Sequence, residues 1–123
     1  MVSFELDEKL LRAVRKLPNF WKKDGRLSPM AFKTRTQKES GTSVYRQAGR
    51  SLDESIQAIS KNLEGIVVSV TYKQCIDFSI KVTETDVITH HCDLTNEDDS
   101  VSTALTNVQC QNLADYAVIE CEI

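Results

Sequence analysis

The chain has 123 residues, of which 41% are apolar and 27% charged, and a net charge of −3. That balance fits one domain able to bury a core without metal or disulfide staples. It excludes a collagen-like or low-complexity chain, and the longest strongly apolar run, Ile66-Val67-Val68, is far short of the roughly 20 residues of a spanning helix.

The charge is unevenly placed. Residues 1–50 carry twelve Lys or Arg against five Asp or Glu, whereas residues 51–123 carry three against thirteen. Such polarity speaks to partners rather than to chemistry. The start of the chain contains Glu5, Asp7 and Glu8 and lacks the basic opening and apolar stretch of a secretory signal, so the expected location is the cytoplasm.

In chain order, Leu6, Leu10, Val14 and Leu17 recur at spacings of four, four and three and predict an amphipathic helix that ends at Pro18. Residues 18–50 have no sustained period; Asp24-Gly25 reads as a tight turn and Ser43-Val44-Tyr45 as a short edge strand. Ser51 with Glu54 forms a capping box for a second helix, whose stripe Leu52, Ile56, Ile59 and Leu63 stops at Gly65. Residues 66–72 read as a central strand apolar on both faces, and residues 76–82 as a half-exposed strand in which Ile76, Phe78, Ile80 and Val82 alternate with polar residues. A third strand over 86–94 is expected to turn back at Glu84-Thr85. A solvated loop over 96–100 precedes a third helix starting near Ser100, with Val101, Ala104, Leu105 and Val108 inward. The chain closes on a strand with Ala117, Ile119, Cys121 and Ile123 on one face. Together these predict a single α+β domain over 1–123, with an antiparallel or mixed sheet of about four strands and three helices mostly on one face.

Groups with intrinsic chemistry are few. Cys75, Cys92, Cys110 and Cys121 include no CxxC pair and read as buried free thiols. In a strand, His90 and Cys92 of the His90-His91-Cys92 run share a face and His91 opposes them, so at most two serve one metal, and a structural role is expected. With no GxSxG elbow and no phosphate-loop spacing, the sequence singles out no catalytic residue, metal ligand or cofactor.

The candidate interaction surface is the basic, aromatic segment: Trp21, Lys22, Lys23, Arg26, Lys33, Arg35, Tyr45 and Arg46. Cations interleaved with aromatics suit nucleic-acid backbones and bases, but Phe20, Trp21 and Phe32 equally suit anchors that pin an irregular segment to a core. A third reading sets the basic surface against an acidic protein or this chain's own acidic half. Glu97, Asp98 and Asp99 form the densest acidic run and a candidate surface for blocking a basic partner. Arg12, Arg26 and Ser43 are the residues on which a nucleotide-binding, ADP-ribosyltransferase-like reading would rest, without the nicotinamide-site acid of such enzymes.

The runs Gly25-Arg26-Leu27-Ser28, Ala31-Phe32-Lys33 and Thr42-Ser43-Val44-Tyr45 follow Pro18 and Phe20 and precede Gly65 to Val70 and His90 or His91. This pattern resembles a loosely defined group of small bacterial proteins, with Thr42 in place of the group's leucine and Cys92 in place of its alanine. The resemblance implies an accessory protein found beside mobile-element, toxin or defence genes, and carries over no catalytic residue. The expected function is therefore a non-catalytic interaction subunit or inhibitor, of accessory, immunity or antitoxin type, in a bacterial multicomponent system. A protein is the expected partner, nucleic acid the alternative, and no membrane is implied.

Overall fold

The computed structural model describes residues 3–34, 41–100 and 102–123. Among these residues six strands, where about four were expected, form one sheet: β1 (Lys9–Val14), β2 (Thr42–Arg46), β3 (Ile66–Thr71), β4 (Ile80–Asp86), β5 (His91–Asn96) and β6 (Val118–Glu122), in the order β4-β5-β2-β1-β3-β6. Every neighbouring pair is antiparallel. Helices α1 (Leu52–Ser60), α2 (Tyr72–Asp77) and α3 (Asn107–Tyr116), with a short 3-10 helix at Pro29–Phe32, complete the α+β fold. Among the described residues, no helix is long and apolar enough to cross a membrane.

The first element is a strand, not the predicted helix. A spacing of four keeps two residues on one face in a strand as well as in a helix, so Leu10 and Val14 fit both. Their neighbour Leu11 decides between them. It is fully buried on the opposite face, against Val67 and Ile59, while Leu10 joins the larger cluster with Val44, Val68, Val70 and Phe32. Leu6 and Leu17, the outer members of the supposed stripe, are exposed. β1 is therefore a central strand covered on both sides, with β2 and β3 as neighbours. For the same reason Ser43-Val44-Tyr45 lies in the sheet interior, between β1 and β5, and is not an edge.

The second correction falls on residues 72–79. Thr71 accepts from the Gln74 N–H while the Gln74 side chain accepts from the Thr71 N–H, and this capping box starts α2 where alternation predicted a strand. Ser79, at φ +58, ends the turn and β4 begins at Ile80. The β4–β5 hairpin consequently turns over residues 87–90, later than Glu84-Thr85, and pairs Ile80 with Asn96 and Glu84 with Cys92. Likewise α3 starts at its cap Thr106, through a box with Gln109, rather than near Ser100. Val108 is then exposed and Gln109, Cys110, Leu113 and Ala114 face inward; Val101 lies outside the described residues.

α1 starts as predicted, capped by the Ser51–Glu54 box, and covers the Leu11 and Val67 face, but it ends at Ser60 rather than at Gly65 and leaves Leu63 outside the helix and exposed. Cys110, Leu113 and Ala114 of α3, Cys75 of α2 and Phe32 of the 3-10 helix cover the other, so the helices are divided between both faces rather than gathered mostly on one. β6 is interrupted at Glu120: Cys121 opposes Val67 while Ile119 opposes Val68, so one extra residue reverses the alternation. Ile119 and Cys121 therefore lie on opposite faces, where strict alternation predicted one. The Glu120 carboxylate accepts from Lys9 and from Ser69.

Gly65 sits at φ +126 where β3 leaves the α1 loop, and its peptide exchanges both hydrogen bonds with Ile123. A Cβ there would press into the Val14 carbonyl, whereas Gly25, at φ +87 in the turn between Trp21 and Leu27, has open space around it. Gly65→Ala is expected to cost more than the ~1–3 kcal/mol of an unfavourable backbone conformation alone, and Gly25→Ala to stay within that range. Urea unfolding of the two variants measures the difference.

Candidate functional site

Three ionisable side chains meet in the interior at one end of β2. The Arg46 guanidinium donates to both Glu8 oxygens at 2.8 Å and lies 3.4 Å from the Glu84 carboxylate, all three side chains being less than a tenth exposed. It also donates to the Ser3 carbonyl and sits 4.0 Å above the Phe4 ring, which stacks on Tyr72. Arg46, expected on an interaction surface, is instead fixed in the core by its pairing with two carboxylates. Two residues outside the usual backbone regions flank it. Ala48, at φ +53, donates its N–H to Glu8, and His90, at φ +63, accepts the Arg46 N–H with its carbonyl.

Burial alone would push the Glu8 carboxyl up, but hydrogen bonds from Arg46 and Ala48 and the Arg46 charge outweigh it, and the group titrates below its ordinary value. Burial dominates for the thiols. Cys75 and Cys92 are pushed up to about 12 and Cys110 to about 11, with the Glu84 charge adding to Cys92. Cys92 faces the core while His91 points to the opposite face, where it meets Tyr45 edge-on. His90 lies in the turn, 3.9 Å from Glu84. Among the described residues, no three His, Cys, Asp or Glu side chains gather closely enough to hold a metal ion.

The remaining sequence candidates separate. Trp21 is half-buried, bridges to Leu27 and donates its indole N–H to the Arg15 carbonyl; with Phe20 it packs against the main core. Lys23 and Arg26 are exposed around the same turn, and Arg26 pairs with Asp24. Tyr45 packs beside Leu11 and Lys33 is half-buried, while Arg35 lies outside the described residues. Glu97, Asp98 and Asp99 are exposed in the loop after β5, where Asp98 accepts from Ser100. Arg12 and Ser43 do meet, through the Ser43 carbonyl, but Arg26 is held elsewhere by Asp24.

Two surface features were not legible in the sequence. The first is a gap in the sheet. β1 and β2 pair only at Leu10–Arg46 and Leu11–Tyr45, then separate. Arg12 spans the opening, donating to the Ala31 carbonyl and the Ser43 carbonyl at 2.7 Å each, and Thr42 donates to the Phe32 carbonyl. Two adjoining hollows of about 180 and 210 Å³ lie there, sharing Arg12, Ala13, Lys33 and Thr34. Arg15 lines the second and continues into the next depressions along the same end of the sheet. The second feature is apolar. Leu17, Pro18, Trp21, Ile66 and Ile119 line a shallow hollow of about 420 Å³ beside β6, with Leu17 45% and Ile119 53% exposed.

Neither family models, curated proteins nor solved structures provide a match to this chain.

Two outcomes follow from the buried groups. Because the Glu8 pKa is depressed on folding, its contribution is complete above the ordinary value of about 4.5 and is lost as pH falls through the folded value. Glu8→Gln is expected to cost about 3 kcal/mol near neutral pH. It should also flatten the fall in urea midpoint as pH drops below about 4.5, as read by denaturation at each pH. Thiol titration of the native chain is expected to modify half-buried Cys121 quickly and the buried Cys75, Cys92 and Cys110 only after unfolding.

Proposed function

We propose that the protein is a non-catalytic binding subunit that docks on another protein through the apolar hollow beside β6. The observation that carries this reading is the exposure of Leu17 and Ile119 around half-buried Trp21, a cluster of large apolar side chains left uncovered next to an unpaired strand edge. Lys16 lines the same hollow, and Lys22 and Lys23 lie on the Trp21 turn. The partner surface that fits is an apolar anchor with an acidic rim.

A binding role also suits how the reactive groups are used. Arg46, Glu8 and Glu84 neutralise one another inside the fold, and three thiols have their pKa values pushed far above neutral pH. An accessory, immunity or antitoxin-like subunit of a bacterial system is the form of this function that the motif pattern favours. Its cytoplasmic setting belongs to the same proposal.

A double variant, Leu17→Glu with Ile119→Glu, tests the surface against Ile88→Glu on the exposed β4–β5 turn. In tagged pull-downs from native cells, one stoichiometric protein is expected to survive nuclease treatment. The double variant should reduce its recovery about tenfold, as removal of interface anchors does, and the control should not. Recovery of nuclease-sensitive material alone would sink the docking reading and favour nucleic acid on the basic segment.

A further inference from the structure

We infer that the β6 hollow also receives a second copy of this chain, whose β4–β5 turn inserts Val87 and Ile88 into it. The contact rests on the docking role proposed for that hollow and adds its regulation, because self-association and another protein then compete for one surface. Val87 is 67% exposed and Ile88 86%, which makes Ile88 the most exposed large apolar side chain among the described residues. Local hydrogen bonds fix their backbone. The Asp86 carboxylate accepts from the Ile88 N–H at 2.8 Å and from the Thr89 N–H, while the His90 carbonyl accepts from the Arg46 N–H at the base of the turn. Two apolar side chains are thus presented on a formed turn, and little ordering is left for binding to impose.

Turn and hollow are complementary in polarity and in charge. Leu17, Pro18, Trp21, Ile66 and Ile119 line the hollow, and Lys22 and Lys23 lie on the turn between its lining residues Trp21 and Gly25. Within that turn Arg26 is paired with Asp24, so the two lysines carry its excess positive charge. On the other surface the Asp86 carboxylate flanks Val87 and Ile88. Asp86-Val87-Ile88 is therefore an apolar anchor with an acid beside it, the kind of surface the hollow suits. A chain does not fill its own hollow. The turn joins β4 and β5 at one edge of the sheet, and the pairs Leu11–Tyr45 and Tyr45–His91 put it at the end where β1 starts. The hollow lies beside β6 at the other edge, at the end where Val14 faces Ile66. The two occupy diagonal corners, several strand spacings of ~4.8 Å apart. Insertion is therefore head-to-tail between copies, each offering one turn and one hollow, so association continues into rings or open chains. A contact confined to one turn belongs with interfaces below about 1,200 Å², which are transient and form as concentration rises.

Sedimentation velocity of the full chain from about 10 μM to about 1 mM tests the contact, and the average mass is expected to grow with concentration. Ile88→Glu removes the anchor and keeps the hollow, whereas Leu17→Glu with Ile119→Glu removes the hollow and keeps the anchor. Each alone is expected to stay monomeric. An equimolar mixture of the two should form a dimer and nothing larger, since one anchor and one hollow remain between them. Exposed Lys23→Glu, which touches no apolar packing, should weaken association of the otherwise unchanged chain about threefold, as loss of an exposed charge pair does. A monomer at every concentration would overturn the inference, as would association that persists in Ile88→Glu, or a monomeric mixture together with no effect of Lys23→Glu. A monomeric chain that still recovers another protein in the pull-down overturns the self-contact and leaves the docking reading standing. Self-association that passes the mixing test, with no other protein recovered, upholds the self-contact and removes that reading.

Discussion

The two-pronged contact between Arg46 and Glu8 ties together parts of the chain that the sheet alone leaves loose. Glu8 precedes β1, Arg46 ends β2, Glu84 belongs to edge strand β4, and Ser3 and Phe4 lie in the leading segment. One guanidinium reaches all of them. A buried pair of this kind is weak evidence for net stability, since apolar residues of similar volume often serve as well. Its value here is positional. Leu10 lies directly opposite Arg46 in the β1–β2 ladder, and that ladder has only two registered pairs. The ion cluster closes the end of the ladder where pairing is sound, and the opposite end is left to open.

That opening changes the work asked of Arg12. In a fully paired sheet the Ser43 carbonyl would face a strand amide; here it accepts from a side chain, as the Ala31 carbonyl does. A backbone acceptor left unpaired in the interior would cost more than a kcal/mol or so, on the order of a lost hydrogen bond. Arg12 and Thr42 supply the missing donors to Ser43, Ala31 and Phe32, which lets the irregular segment lie over the gap without stranding its carbonyls. Phe32, almost completely buried, and Trp21, half-buried, then hold that segment down by packing. The anchoring role of the aromatics and the structural role of the basic residues are thus parts of one arrangement.

The sequence made the α+β class, the start of α1, β3 and the turn at Gly25 legible, though not the six strands or the helices on both faces; what was legible rests on local signals: a capping box, an unbroken apolar run, a residue that accepts positive φ. It misled where one spacing serves two periods. Leu10 and Val14 are four apart, and only the neighbouring Leu11, apolar and on the opposite side, separates a two-faced strand from a helix stripe. Two further helix starts were present in the same form as Ser51–Glu54, at Thr71–Gln74 and Thr106–Gln109. They were masked by apolar alternation over 76–82 and by the acidic loop, respectively. Residues such as Arg46 and Arg12 could not be placed, because whether a cation is solvated or buried depends on strands distant in sequence coming together.

The chain's charge polarity also has a different meaning once folded. Lys9 pairs with Glu120, Lys16 with Glu122 and Arg46 with Glu84, so first-half cations are matched in part by second-half carboxylates across the sheet. The halves are complementary to each other before they are complementary to any partner. What this matching leaves over is not spread evenly. Arg15 and Lys33 border the β1–β2 gap, Lys22 and Lys23 lie on the Trp21 turn, and none of the four has an ion pair among the described residues. Residual positive charge therefore collects where the sheet is open and where apolar side chains are uncovered. Long-range attraction and short-range contact are directed to the same end of the molecule, which is the arrangement that brings an anionic or acid-rimmed partner to a defined place rather than to the surface at large.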